Sequence, residues 1–389
     1  MDIALCYSHV RPERGGCETY ISDLSRRLVS DGYRVHLLAC DWDASALPES
    51  MRFHRLDVGK SPRFLKPWRF ARACEAALAK LPHDVSVGFD KTWGQDILYP
   101  QGGLHTASAV HNKLKFRSPV ARALASAAKW LDPAAWSFAR LERRQYLAGE
   151  PSTVVVNSEM VRGHFGRHLG IPPERIRLIH SAIDPSRFDD PDRDRKRQAF
   201  RESLGVGEGT TLGLFVAMNY RLKGLTPLIH GLARVSRDSG VSLAVVGHPK
   251  FARYERLAQR LGVADRIHFV GFRRDPKEAY FASDFLVHPT FYDPCSLVVL
   301  EALACGLPVI TSRHNGASEL LDPPKDGLVV QDPHDAEELG TALASMGDGE
   351  AMRSRSVAAR AAGRRWTFEQ HYAALTDLFR EVAGRRRAA

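Results

Sequence analysis

The chain has 389 residues, 44% of them hydrophobic and 26% charged, with a formal net charge of +10. That length exceeds what one hydrophobic core serves, so two domains are expected, and the composition excludes a disordered or fibrous chain. No apolar run approaches the ~20 residues that span a bilayer, and the first ten residues lack a charged leader, so a cytoplasmic location is expected.

The positive charge suits an anionic partner such as nucleic acid, anionic lipid or a nucleotide-linked substrate. The six cysteines (6, 17, 40, 74, 295 and 305) form no C-x-x-C pair. They read as reduced core residues, with no metal site and no disulfide framework.

In chain order, the near-continuous apolar runs 3–9, 35–40, 85–89 and 152–158 predict parallel strands buried on both faces. An amphipathic helix over about 17–31 separates the first two and gives a βαβ opening, hence an α/β class. Gly15 and Gly16 lie between that first strand and helix, where glycine lets backbone approach a phosphate at a helix N-terminus; a plain tight turn explains the pair equally well. Residues 60–72 interleave lysine and arginine with Trp68 and phenylalanines, and 113–144 does so again with Phe116, Trp130 and Trp136. Such stretches suit an anionic membrane interface or a solvated charged face. His105 follows DILYPQGGL at a strand end, where a sugar contact and a structural histidine are both open readings.

The second half repeats the pattern with strands predicted at 211–218, 242–248, 267–271, 284–290, 307–312 and 327–332. The charged segment 189–203 marks the junction or the helix after it. Arg221-Leu222-Lys223-Gly224 follows a buried strand, so two cations stand where ligands of such folds bind, outside the carboxyl ends of the strands. Each charge-assisted hydrogen bond to a diphosphate contributes about 1.5–3 kcal/mol.

Residues 297–305 predict a helix apolar on every side but Glu301, and such a helix is buried. Asp293-Pro294 predicts its start, a cap followed by proline in the first turn, and Gly306 its end. Two carboxylates eight residues apart then bracket the turns where backbone N–H groups are free, a setting for a polyhydroxylated anionic ligand. Before other residues are weighed, Asp293 reads equally as a mere cap and Glu301 as a buried ion-pair partner. Ser318 and Glu319 predict a further helix start. The last predicted helix, about 367–383, follows Trp366-Thr367, and Arg385–Arg387 are expected to fray.

Taken together, Gly15-Gly16, Arg221-x-Lys223-Gly224, LAVVGHP (243–249), HFVGF (268–272), DPCSLVVLEALACGLPVI (293–310), Ser158-Glu159, Asp184 with Arg187-Phe188, and Asp326-Gly327 form a known pattern. The chain resembles the retaining glycosyltransferases of family 4 over nearly its full length, and within them the lipopolysaccharide inner-core glucosyltransferases. The resemblance implies a GT-B fold of two facing Rossmann-like domains with a catalytic cleft between them. The expected division is an acceptor-binding domain at 1–183, a nucleotide-sugar domain at 184–365, and a C-terminal helix at 366–389 that packs toward the first domain.

It further implies that Glu301 binds the nucleotide's ribose, that Arg221 and Lys223 hold the diphosphate with Gly15 and Gly16, and that Asp293 contacts the donor sugar. Ser296, Leu297 and Val298 join the donor-binding set, and His105 sits near the sugar's reacting face, so the catalytic group is His105, Asp293, Arg221 and Lys223. Aspartate stands at 293 where the family has the first glutamate of E-x7-E, and His180–Asp184 replaces the usual Asn-Gly-Val-Asp turn.

The implied activity is transfer of a hexose, glucose from UDP-glucose first, to a hydroxyl of a lipid-linked glycan such as the lipopolysaccharide core. Anomeric configuration is retained, with no cofactor and no metal, since no Asp-x-Asp cation site stands in a suitable place. The expected location is cytoplasmic, with peripheral attachment to the cytoplasmic face of the inner membrane as an open reading, and no nucleic-acid partner is expected. A non-hydrolysing sugar-nucleotide epimerase and a non-catalytic basic protein binding nucleic acid or membrane are the alternatives. A nicotinamide oxidoreductase is disfavoured because no strand is followed by G-x-G-x-x-G.

Overall fold

Runs of apolar residues buried on both faces build two parallel sheets. The computed structural model of the protein describes residues 1–12, 15–149 and 152–388. These divide into two units: Met1–Lys113 with Ser118–His180 and Gln370–Ala389, and Leu114–Arg117 with Ser181–Glu369.

In the first unit the strands are β1 (Asp2–Cys6), β2 (His9–Val10), β3 (Arg34–Ala39), β4 (Asp41–Trp42), β5 (Arg52–Arg55), β6 (Val85–Gly88), β7 (Ile97–Leu98), β8 (Thr153–Val156) and β9 (Ile176–Leu178). The helices are α1 (Gly16–Ser30), α2 (Lys66–Leu78), α3 (His105–Leu114), α4 (Pro119–Trp130), α5 (Pro133–Leu147) and α6 (Glu159–Leu169). The main sheet runs β5-β3-β1-β6-β7-β8-β9, all pairings parallel, with β2 and β4 in a small ladder of their own. The order reverses at β1, as in a Rossmann sheet, and that reversal opens a crevice at the carboxyl ends of the strands.

The second unit contains α7 (Arg193–Ser203), β10 (Thr211–Ala217), α8 (Leu225–Leu232), β11 (Val241–Gly247), α9 (Ala252–Arg260), β12 (Ile267–Gly271), α10 (Lys277–Ala282), β13 (Phe285–His288), α11 (Leu297–Ala304), β14 (Val309–Ser312), β15 (Gly327–Val330), α12 (Ala336–Ala344) and α13 (Gly349–Gly363). Its parallel sheet runs β12-β11-β10-β13-β14-β15, again reversing at the first strand. Alternate residues feed two cores. Leu212, Leu214, Ala244, Val246, Leu286 and Val309 join the cluster beneath α11, whereas Phe215, Leu243, Val245, Val287 and Ile310 join the one beneath α8 and α12. A strand buried on both faces needs this unbroken apolar run.

The closing helix, α14 (Phe368–Ala388), brings Leu375, Leu378 and Phe379 into the buried interior. Its residues from Gln370 onward belong to the first unit, where His371 is 2.6 Å from the Tyr20 hydroxyl and its Nδ1 is 2.7 Å from the His180 carbonyl. The expectation that Arg385–Arg387 fray is wrong. The helix continues through them because Arg387 reaches Asp84 at 2.7 Å, Arg386 lies 3.5 Å from Asp96, and Arg385 pairs with Glu381 one turn back.

Candidate functional site

Three strand ends meet in the second unit. β10 runs into the turn Asn219–Gly224, β13 into Pro289–Asp293, and β14 into Arg313–Asn315. The first two turns are knit by Phe291 N–H donating to the Leu222 carbonyl (2.9 Å) and by the Thr290 hydroxyl, which reaches the Leu222 and Tyr292 carbonyls. Gly224 is required here: its φ is 86°, and a Cβ would stand 2.1 Å from the Pro289 carbonyl oxygen.

This knitting places Lys223 against Asp293. The ammonium donates to Asp293 Oδ2 at 2.5 Å and to the Tyr292 carbonyl at 3.2 Å. Burial alone would push the Asp293 carboxyl up, but the Lys223 ammonium and the adjacent His288 outweigh it and hold the acid well below the usual carboxylate range. His288 Nε2 lies 3.6 Å from the same Oδ2. Arg221, on the same turn, is exposed and lies 4.1 Å over the Phe116 ring of the Leu114–Arg117 segment.

Asp293 does not cap α11. The helix starts at Leu297 with Ser296 in the cap position and no side-chain cap bond; Val299 N–H turns back to the Ser296 carbonyl (3.2 Å), which leaves the Leu297 and Val298 amides as the open ones of the first turn. Asp293 instead pairs backbone with Asn315: its N–H donates to the His314 carbonyl (3.0 Å), and its carbonyl accepts from Gly316 N–H (2.8 Å). Asn315, fully buried, accepts from the amides of Ser296 (3.2 Å) and Ala317 (3.1 Å) and donates to Thr311 Oγ1 (2.9 Å). That asparagine, not Ser318 or Glu319, caps the short 3-10 turn Gly316–Leu320, which corrects the expected helix start there.

Glu301 is four residues into α11, so it shares the face of the open first turn. It is partly buried and accepts the Tyr280 hydroxyl at 2.5 Å. Burial pushes its acid up, only partly offset by that hydrogen bond and by Arg187. The helix ends where expected, at Gly306 with φ 75°.

In the first unit, Gly15 precedes α1 in extended conformation with no side-chain cap, and Gly16 opens the helix; Glu13 and Arg14 ahead of them lie outside the described residues. His105 opens α3, its N–H held by the Glu142 carboxylate and its ring edge-on to Phe138 at 5.3 Å. It lines a cavity of about 280 Å³ with Tyr7, Asp90, Lys91, Gln101 and Ser108. Burial, with Lys91 and Lys129 nearby, lowers its basicity. Among the described residues no group of three or more His, Cys, Asp or Glu is placed to hold a metal ion.

The structure thus brings Lys223 and Asp293 together, ties Ser296 to the Asp293 loop through Asn315, and puts Glu301 on the same helix face as the open amides. Sequence reasoning missed three supporting residues: His288, Tyr280 and Asn315. Only Asn315 had a signal, as a turn-forming residue directly ahead of a glycine and after a strand.

The family described as "Glycosyltransferase Family 4" matches residues 14–187, and "Glycosyl transferases group 1" matches residues 196–364. The lipopolysaccharide glucosyltransferase WaaG of Escherichia coli K12 is 25% identical over 88% of each chain. A WaaG crystal structure superposes with a TM-score of 0.77 at 22% identity, covering 97% of this chain and 99% of that one. A probable transglycosylase of Burkholderia thailandensis is 30% identical over 96% of this chain and 95% of its own. Anabaena HepE, solved in complex with UDP-glucose, matches with a TM-score of 0.70 at 18% identity over 98% and 100% of the two chains. With two family matches lying end to end and a 30%-identical relative aligned along nearly its whole length, the chain belongs to the family 4 glycosyltransferases of the GT-B fold.

Proposed function

We propose that the protein is a retaining, metal-independent hexosyltransferase that moves glucose from UDP-glucose to a hydroxyl of a lipid-linked glycan, with the lipopolysaccharide core as acceptor. The observation that carries this reading is the Lys223–Asp293 pair beside the open first turn of α11, with Glu301 one turn further on. Glu301 accepts the ribose hydroxyls. The diphosphate takes Arg221, Lys223 and the amides that follow Ser296 at Leu297 and Val298, where both side-chain and dipole charge are positive. Asp293 accepts hydroxyls of the sugar. Of the first unit, His105 and the amides at Gly15 and Gly16 are assigned to substrate. The choice of UDP-glucose is supported by the HepE complex and that of the lipopolysaccharide core by WaaG, a lipopolysaccharide glucosyltransferase.

Charge collects on the leaving diphosphate in the transition state, and fixed cations stabilise it without reorganising. The acceptor hydroxyl passes its proton to the departing phosphate oxygen as the new glycosidic bond forms. Calorimetry with UDP-, GDP- and ADP-sugars tests the assignment: UDP-glucose binds most tightly, and transfer persists in EDTA. Absence of affinity for every nucleotide sugar overturns it.

Membrane attachment is the second part of the proposal. No described helix is long and apolar enough to cross a membrane. However, α4 buries none of its residues, and Val120, Leu124, Trp130, Leu131 and Trp136 are each at least 58% exposed among Arg122, Lys129 and Arg140. Apolar side chains beside cations suit the interface of an anionic leaflet. The protein is expected to pellet with anionic vesicles at low salt, less so as salt rises, and not with neutral ones. Equal, negligible pelleting with both ends this part.

A further inference from the structure

His288 ends β13 with 1% of its surface exposed, and its ring is stacked on Phe215 at 6.1 Å and 29°. Its backbone is fixed on both sides, because its carbonyl accepts the Thr311 hydroxyl (2.9 Å) and the Thr290 amide (2.8 Å). Strand, loop and ring stacking therefore hold this residue in the buried end of the strand. Yet neither ring nitrogen has a hydrogen-bond partner among the described residues. A buried polar group in that state costs about 1–3 kcal/mol and calls for an explanation.

The neighbour that supplies one is Asp293. At 3.6 Å, His288 Nε2 is too far from Oδ2 for a hydrogen bond but near enough to close on it when the loop tightens around substrate. Lys223 already holds that same oxygen at 2.5 Å. Two groups converging on one carboxylate oxygen fix the rotation of the carboxylate and leave Oδ1 as the acceptor for substrate. Positioning matters here because aspartate is one bond shorter than glutamate, so its carboxylate has less freedom to find a hydroxyl by itself.

We propose that His288 is a positioning residue for donor-sugar recognition. Through Nε2 it locks the Asp293 carboxylate, so that Oδ1 meets one sugar hydroxyl in one orientation and the enzyme distinguishes hexose epimers. The inference rests on the assignment of Asp293 to the donor sugar.

The test compares two polar variants of the full-length enzyme. Glutamine places a donor nitrogen where Nε2 stands, whereas asparagine reaches only as far as Nδ1. His288→Gln keeps the ratio of kcat/KM for UDP-glucose over UDP-galactose within threefold of the parent, and His288→Asn lowers it at least tenfold. Both keep UDP affinity within twofold by calorimetry, which damage to the fold would not. An unchanged ratio in His288→Asn, an equal loss in both variants, or a parallel fall in UDP affinity overturns the role of His288. A parent enzyme that binds UDP-sugars but does not separate the epimers also overturns it, while a parent that binds none overturns the underlying assignment instead.

Discussion

Lys223→Ala lowers kcat/KM for transfer about a hundredfold or more and destabilises the protein by roughly 3 kcal/mol at neutral pH. The catalytic loss follows from removing one fixed cation from the leaving diphosphate, a change typically worth 10²–10³ in rate. The stability loss follows from leaving Asp293 without its ion-pair partner, since breaking a buried pair costs about 3–5 kcal/mol and this one keeps 20% and 15% side-chain exposure.

The sign of the pH dependence separates this account from a general weakening of the fold. In the parent, the Asp293 acid is held below its unfolded value of about 3.9. Its contribution is therefore present above that value and is lost as pH falls through the depressed folded value. Without Lys223, burial dominates and the folded acid rises above the unfolded one. The variant's contribution is then present in acid and is lost as pH rises. The gap between the two proteins should thus be wider at pH 7.5 than at pH 4 in urea unfolding, and close only in stronger acid, where the parent's acid is protonated too. A gap equal at both pH values contradicts this reading. The double variant Lys223→Ala with Asp293→Asn recovers much of the stability and none of the activity.

Glu301→Gln acts differently. UDP and UDP-glucose both bind about 30-fold more weakly, roughly 2 kcal/mol, as expected when charged hydrogen bonds to two ribose hydroxyls become neutral ones. Because the ribose is held alike in ground and transition states, KM rises while kcat stays within about threefold. Stability does not fall: the glutamine oxygen still accepts the Tyr280 hydroxyl, and the variant no longer confines a carboxylate that burial disfavours. Calorimetry with UDP alone, beside a thermal melt, reads both effects. An unchanged UDP affinity removes Glu301 from the nucleotide site.

The α/β class and the strands were legible because parallel strands buried on both faces leave unbroken apolar runs, and β10 to β15 lie within a few residues of those runs. Glu301 was legible for the opposite reason, as one charge in an apolar helix. Asp293 misled because Asp-Pro ahead of an apolar run is the local signature of a cap. The signature lost to tertiary pairing: Lys223 claims the side chain and Asn315 the backbone, so the helix begins three residues later than a cap at Asp293 would have it. His288 ends an apolar run and looks like strand interior; only the loop that folds Asp293 back reveals its neighbour. The terminal arginines looked loose because their partners Asp84 and Asp96 are about 300 positions away in sequence.

The division of the chain bears on biogenesis. Apart from Leu114–Arg117, the second unit is a continuous segment, Ser181–Glu369, whereas the first needs Gln370–Ala389 to be complete. Tyr372, Leu375, Leu378 and Phe379 of that segment are all at most 5% exposed. A ribosome makes these residues after the whole of the second unit, so the portion made first cannot finish folding until they have emerged, the reverse of the usual N-terminal-first order. Until that helix emerges, the nascent first unit must keep an apolar seam waiting, and it matures only when the distant segment arrives to seal it.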